Sequence, residues 1–236
     1  MNSTYDPSSF PPFAVTVDIV VLSVADVLEV LLVERGVEPF AGVLALPGGF
    51  VLPEESLDEA ATRELTEETG LEASDLPGVH LEQLGSFGAV GRDPRMRIVS
   101  VAYLALSPTR PALTAGTDAA SAQWIPVDDA LEGRLAFDHE TIIASGLERA
   151  RAKLEYTTLA ATLAGPEFTM GELQHVYEAT WGHELERANF RRKVLATSDF
   201  VRPTGTRRRG RLGGAPASTY RAAGGRTLNP PIVRGD

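Results

Sequence analysis

Three glutamates, Glu64, Glu67 and Glu68, fall at i, i+3 and i+4, a spacing that gathers three carboxylates on one face of a helix. Like charges so placed repel each other and weaken an isolated helix. A hard divalent cation offsets that repulsion, and oxygen-only ligands suit Mg2+ or, second, Mn2+. A solvated acidic face is the plainer explanation of any charge run, so the elements around the cluster must decide between the two.

Ser56 and Glu59 form an S-x-x-E capping box, which predicts a helix from Leu57. Leu57, Ala60, Ala61 and Leu65 form its apolar stripe, and Gly70 is placed to end it in the left-handed conformation. The β-branched runs Phe13–Ser23 and Val27–Glu34 read as strands around a turn at Val24–Asp26. Gly42–Leu46 is a further short apolar stretch, broken by Pro47, Gly48 and Gly49. Arg97–Leu106 alternates as a strand does, and Ala122–Ile125 is a short strand ended by Pro126. Strands on both sides of one amphipathic helix describe a mixed α/β sandwich.

The helix belongs to a longer pattern, filled by Gly49, Glu55, Arg63, Glu64, Leu65, Glu67, Glu68, Gly70 and Leu71. At about one in twenty per position, seven fixed residues coincide by chance roughly once in a billion starts. The segment resembles the Nudix box, and the chain resembles the Nudix superfamily over about its first 150 residues. That resemblance implies the Nudix α/β/α sandwich and a divalent metal held by Glu64, Glu67 and Glu68. Arg63 joins them in the candidate catalytic set as an orienting partner. Many Nudix hydrolases take a general base from a loop outside the box; Glu132, Asp138 and Glu140 are the candidates, which the sequence does not separate.

With 236 residues, 43% of them hydrophobic, the chain can bury a sizeable core in one or two domains. It has no cysteine, which excludes disulfides and thiolate metal sites. The apolar run at 17–24 is too short to span a bilayer, and no charged segment precedes it as in a signal peptide. No membrane association and a cytoplasmic location are expected. The net charge of −10 hides an asymmetry: residues 1–185 carry 10 Lys or Arg against 29 Asp or Glu, whereas residues 186–236 carry 12 against 3. Two units with different partners are implied, the basic one facing a polyanion.

The second unit is helical first. Asp138 can cap a helix over about His139–Lys153, continued by Tyr156–Leu163 and broken at Gly165 and Pro166. Thr169 and Glu172 make a second capping box, Gly182 supplies a turn, and a helix from about Glu184 to Ala196 follows. Two helices about a tight glycine turn are a helix-turn-helix signature. Phe200–Arg202 and Ser218–Arg221 read as short strands around a Gly- and Arg-rich loop, a β-hairpin wing. On the last helix, Phe190 and Val194 mark the inner side, Asn189, Arg192 and Lys193 the outer, and Arg191 projects nearer the inner side. The candidate DNA contacts are Asn189, Arg191, Arg192 and Lys193 on this helix, and Arg207, Arg208, Arg209 and Arg211 on the wing loop. A solubilising basic tail is the plainer alternative.

A Nudix domain followed by a winged helix, with ERANFRRKVL as recognition helix, resembles the NrtR family of Nudix-related transcriptional regulators. The resemblance implies a homodimer on a palindromic operator of double-stranded DNA, repressing genes of NAD synthesis or salvage. ADP-ribose, or a related nucleotide diphosphate, releases the DNA in that scheme. Arg35, Gly48, Gly49, Arg92 and Arg95 are the candidate effector contacts, although each arginine also reads as an ordinary surface charge. Phe87 could stack on adenine but reads better as core. The expected division is a flexible arm (1–13), a Nudix domain (14–155), a winged helix domain (156–226) and a disordered tail (227–236). Family members often carry a degraded box; this box is intact, so ADP-ribose pyrophosphatase activity releasing AMP stays open. The helical connection through residues 139–163 is the expected route from effector to DNA-binding unit.

Overall fold

A computed structural model of the chain describes residues 6–70, 79–110, 113, 119–210 and 213–234. The first unit is a mixed sheet with helices on both faces. Its central strands are β1 (Ala14–Val24) and β6 (Ile98–Ser107), paired in parallel from Ala14↔Ile98 to Ser23↔Ser107. Outside them lie β2 (Leu28–Arg35), β3 (Leu44–Ala45) and β5 (His80–Phe87), giving the order β3-β2-β1-β6-β5. In addition, β4 (Gly48–Phe50) pairs with β1 and β7 (Ala119–Pro126) with β2, both antiparallel.

Both faces of β1 are covered, which is why its middle reads as an unbroken apolar run. Val17, Ile19 and Val21 point to α1 (Leu57–Thr69), packing with Ala60, Ala61 and Leu65. Val20 and Leu22 point to α3 (His139–Tyr156), packing with Ile142, Ile143 and Leu147. A side chain on Gly146 would stand 2.9 Å from Val20 Cγ1, so α3 lies hard against the sheet. A short helix, α2 (Val127–Glu132), precedes α3.

The second unit contains α4 (Leu159–Leu163), β8 (Phe168–Thr169), α5 (Met170–Trp181), α6 (Arg187–Ala196), β9 (Val201–Gly210) and β10 (Gly213–Ala222). Its three strands form a small antiparallel sheet in the order β8-β10-β9. The capping box at Thr169 and Glu172 is formed, and Gly182 ends α5 at φ 77°. The apolar core does not stop between the units. Leu154, Ala160, Tyr177, Phe190, Val194 and Phe200 belong to the same cluster as Val20 and Leu22.

Four expectations need correction. The helix through residue 163 is broken at Thr157 and Thr158: Thr157 is extended, and Thr158 instead bonds Gly225 O and Arg226 O. The last helix begins at Arg187, because Glu186 caps it by accepting from the Ala188 and Asn189 amides. The wing strands run to Gly210 and from Gly213, so the arginines at 207–209 lie on a strand, not in a loop. Nor is the tail disordered over 227–234: Leu228 and Ile232 are buried in the shared core, and Arg234 pairs with Glu155 and Glu148. In the N-terminal arm, residues 7–9 form one 3-10 turn.

Candidate functional site

The box folds into a cleft of about 370 Å3 whose lining includes β1, β4, α1, the 92–95 loop and the segment leading into α3. Helix α1 starts at its capping box and stops at Gly70, φ 70°. This fixes which face meets the β4 glycines. Gly49 leaves no room for a side chain: a Cβ there would lie 2.2 Å from Glu64 Oε1. A Cβ on Gly48 would lie as close to the Val17 carbonyl oxygen, and the Gly48 amide donates to Glu68 Oε2 at 2.9 Å.

Arg63 is the hub of the acidic face. Its Nε and Nη2 fork onto Glu55 at 2.9 and 2.6 Å, Nη1 donates to Glu64 and Glu67 at 2.8 and 2.9 Å, and Nη2 reaches Phe50 O. The fork holds the Glu55 carboxyl down at about 2. Glu64 and Glu68 behave oppositely. Burial pushes both upward, Glu68 to about 8, with the Glu64 charge adding to the burial at Glu68. Among the described residues, no three His, Asp or Glu side chains converge tightly on one point; Glu67 is half exposed and turned to Arg63. Even so, the donor chemistry fits a hard divalent cation. Two desolvated carboxylates that resist ionising together are the groups a dication would stabilise. Nearby, the Thr16 hydroxyl lines the cleft, buried and without a hydrogen-bond partner among the described residues.

The effector candidates divide. Arg35 and Arg95 line the cleft together, over the same Phe137 ring at 4.9 and 5.6 Å. Burial and the nearby Arg95 charge push the Arg35 guanidinium downward, so an anion between them would be favoured. Arg35 is steadied by the Pro39 carbonyl and Arg95 by Asp93. Arg92 is different. Its side chain is 4% exposed, yet it lines the same cleft, and its Nε and Nη2 are engaged by carboxylates, a fork onto Asp138 at 2.5 and 2.9 Å with Asp18 at 3.4 Å. Phe87 is partly buried against the core.

Sequence reasoning missed the floor of this cleft. Asp18 sits in the middle of β1, 6% exposed. Burial raises its carboxyl, but His139, the Ser100 hydroxyl and Arg92 together outweigh that and hold it below its usual range. His139 Nδ1 accepts the Leu46 amide at 2.8 Å, so Nε2 carries the proton directed at Asp18, 3.4 Å away. A single acid inside the apolar run AVTVDIVVLSV was the available signal, since a buried charge requires partners. Of the candidate bases, Asp138 is bound by Arg92, and Glu132 and Glu140 are exposed outside the described lining of the cleft.

In the basic unit, Phe190 and Val194 are buried. Arg191 and Arg192 are exposed, Asn189 and Lys193 half-buried, and Arg192 donates to Asn189 Oδ1 at 2.5 Å. Arg191 therefore faces solvent, not the inner side. Strand alternation sorts the wing: Arg207 and Arg209 are exposed, while Arg208 turns inward, forking onto Glu172 at 2.9 Å and reaching Glu167 O. Arg208 is thus bound to the cap of α5, with its side chain 36% exposed. Arg211 lies outside the described residues.

The NUDIX domain family matches residues 12–145, and the NrtR DNA-binding winged helix domain matches 160–222. The ADPR responsive transcriptional repressor NtrR of Acinetobacter baylyi is 36% identical over 222 residues, covering 93% of this chain and 86% of that protein. The chain belongs to the NrtR family. Its fold agrees with that of Shewanella oneidensis NrtR complexed with a 27mer DNA, at TM-score 0.72 and 34% identity, covering 90% of this chain and 96% of that one. The NUDIX domain of the same NrtR, complexed with ADP ribose, matches at TM-score 0.55 and 37% identity, covering 63% of this chain and 95% of that domain. Among the described residues, no helix is long and apolar enough to cross a membrane.

Proposed function

We propose that this NrtR-family protein is an ADP-ribose-responsive repressor that binds double-stranded operator DNA through α6 and the wing. The observation that carries the reading is one cleft holding two guanidiniums, Arg35 and Arg95, beside the desolvated carboxylates Glu64 and Glu68, in a chain that also presents a basic helix. Arg35 and Arg95 would take the diphosphate, Gly48 and Gly49 would let it approach the backbone, and Glu64 and Glu68, aided by Glu67, would hold Mg2+ or Mn2+. The metal, when bound, neutralises phosphate charge. Arg191, Arg192, Lys193 and Asn189 would meet base edges or phosphates, with Arg207 and Arg209 tracking the backbone. A homodimer would place two such helices on a palindrome, half-sites about 34–36 Å apart, in the cytoplasm where the DNA lies. Genes of NAD synthesis or salvage are the expected targets.

Mobility shift on the DNA upstream of the protein's own gene tests this. Nanomolar, salt-sensitive retardation that ADP-ribose weakens is expected. Retardation indifferent to ADP-ribose would sink it. The intact box favours a second, compatible activity, slow ADP-ribose hydrolysis that ends the signal. Catalysis needs a positioned base, and the acids outside the box that line the cleft, Asp18 and Asp93, are committed to Arg92 and His139 and to Arg95. AMP release should therefore be slow or absent, and fast Mg2+-dependent release would reverse that ranking.

A further inference from the structure

The break in the helical connection at Thr157 and Thr158 leaves a question of how the cleft and the recognition helix communicate. One end of α3 is built into the cleft. Phe137, two residues before it, lies beneath Arg35 and Arg95 with φ 53°, a conformation a bulky side chain rarely adopts. Asp138 is clamped by Arg92, and His139 is fixed between Leu46 and Asp18. Anything that draws the two guanidiniums onto a diphosphate acts on the root of this helix. From there α3 runs 18 residues, about 27 Å, toward the winged helix.

The other end of α3 is held by residues 227–234. Thr227 forms an antiparallel bridge with Thr157. The Leu228 amide donates to Tyr156 O at 2.9 Å and the Ile232 amide to Glu155 O at 3.0 Å, while Arg234 Nε reaches Glu155 at 2.8 Å. Between these anchors, the segment turns its carbonyls to the end of α6. Asn229 O accepts the Ser198 amide at 3.3 Å, and Pro230 O accepts the hydroxyl of Thr197, the C-cap of α6, at 3.2 Å. Leu228 and Ile232 are buried in the same core as Phe190 and Val194 of α6. One short segment is thus bonded to the far end of α3 and to the near end of the recognition helix. It lies beyond both family matches, which stop at residues 145 and 222.

We propose that residues 227–234 are a strap coupling α3 to α6, through which occupancy of the acidic cleft repositions the recognition helix. The inference rests on the ADP-ribose reading given above. Leu228, Ile232 and Arg234 are positioning residues: they lie outside the described lining of the cleft, and they set where α6 stands relative to α3.

The test combines titration calorimetry with ADP-ribose and Mg2+ and amide hydrogen exchange across residues 187–196, with and without ADP-ribose, on the full chain. Local opening of a helix is what such exchange reports. Wild-type protein should show exchange in α6 altered about tenfold by ADP-ribose, a typical coupling. Truncation after Arg226, and separately the full-length Ile232→Ala/Arg234→Ala variant, should still bind ADP-ribose while the change at α6 falls below about twofold. Arg234→Lys alone should retain most of the response, which a general loss of packing would not spare. If the truncated chain fails to fold, the full-length variant decides. Binding of ADP-ribose with an undiminished response at α6 in that variant, or with no response in the wild type, overturns the strap alone. Absence of any binding heat in the wild type overturns the effector reading, and the strap's regulatory role with it.

Discussion

Replacing Arg92 with alanine should damage stability far more than effector affinity. The side chain is 4% exposed and its guanidinium serves two carboxylates, Asp138 through a fork and Asp18 at 3.4 Å. Removing one partner of a buried ion pair typically costs about 3–5 kcal/mol, because the charge left behind has lost its compensation. Here the lower end applies. Asp138 is 24% exposed and can recover water, while Asp18 keeps His139 and Ser100. About 3 kcal/mol in a chain of this size corresponds to a fall in Tm of about 6–12 °C. The effect carries a pH signature. The Asp18 carboxyl is held below its unfolded value, so its contribution exists above that value and disappears as pH falls through the folded one. The gap between wild type and Arg92→Ala should therefore be full at pH 7 and shrink toward pH 3. Chemical denaturation at several pH values measures the gap, and calorimetry with ADP-ribose at a temperature where both proteins are folded measures affinity. An Arg92→Ala protein of wild-type stability that has lost ADP-ribose affinity would refute the reasoning and make Arg92 a ligand contact.

Burial and the Glu64 charge push the Glu68 carboxyl up to about 8, which favours its protonated form at pH 7, and ligation requires the carboxylate. Mg2+ or Mn2+ binding should release close to one proton, measured by calorimetry in two buffers of different ionisation enthalpy; zero release would contradict the assignment. Because this pKa lies above the unfolded value, metal-free protein should also lose stability as pH rises from about 4.5 to 8. Gly49→Ala should abolish metal binding with the fold retained by circular dichroism, since its Cβ would displace Glu64; unchanged metal affinity would show that the cluster tolerates the shift. Arg207→Ala and Arg209→Ala should each weaken DNA binding and reduce the salt slope by about one. Arg208→Ala should instead lower thermal stability by loosening the wing from Glu172, and a pure loss of salt slope would return Arg208 to the DNA face.

Much of this was legible wherever local chemistry dictates structure. Ser56 with Glu59 and Thr169 with Glu172 marked two helix starts, and Gly70 and Gly182 marked the matching ends, because caps act within four residues. Strand β5 escaped: His80, Glu82 and Gly85 dilute its alternation, and it forms only because β6 offers an edge. A loop reading of the wing arginines ignores the two-residue period that leaves Arg207 and Arg209 exposed and turns Arg208 inward. The tail resembled a loose end because its two anchors, Leu228 and Ile232, bury their side chains against helices far away in sequence. In the cleft, the box glutamates announced themselves by spacing. Asp18, His139 and Phe137 meet only through tertiary folding.

The apolar cluster that runs from Val20 to Phe190 without interruption makes the chain a single unfolding unit in spite of its two functions. A denaturation curve should show one transition, not two. The winged helix expressed from residue 160 would lack the wall that α3 supplies for Tyr177 and Trp181, whose polar atoms bond to Leu154 O and Arg151 O. Grafting this DNA-reading half onto another sensor would consequently require carrying α3 along with it.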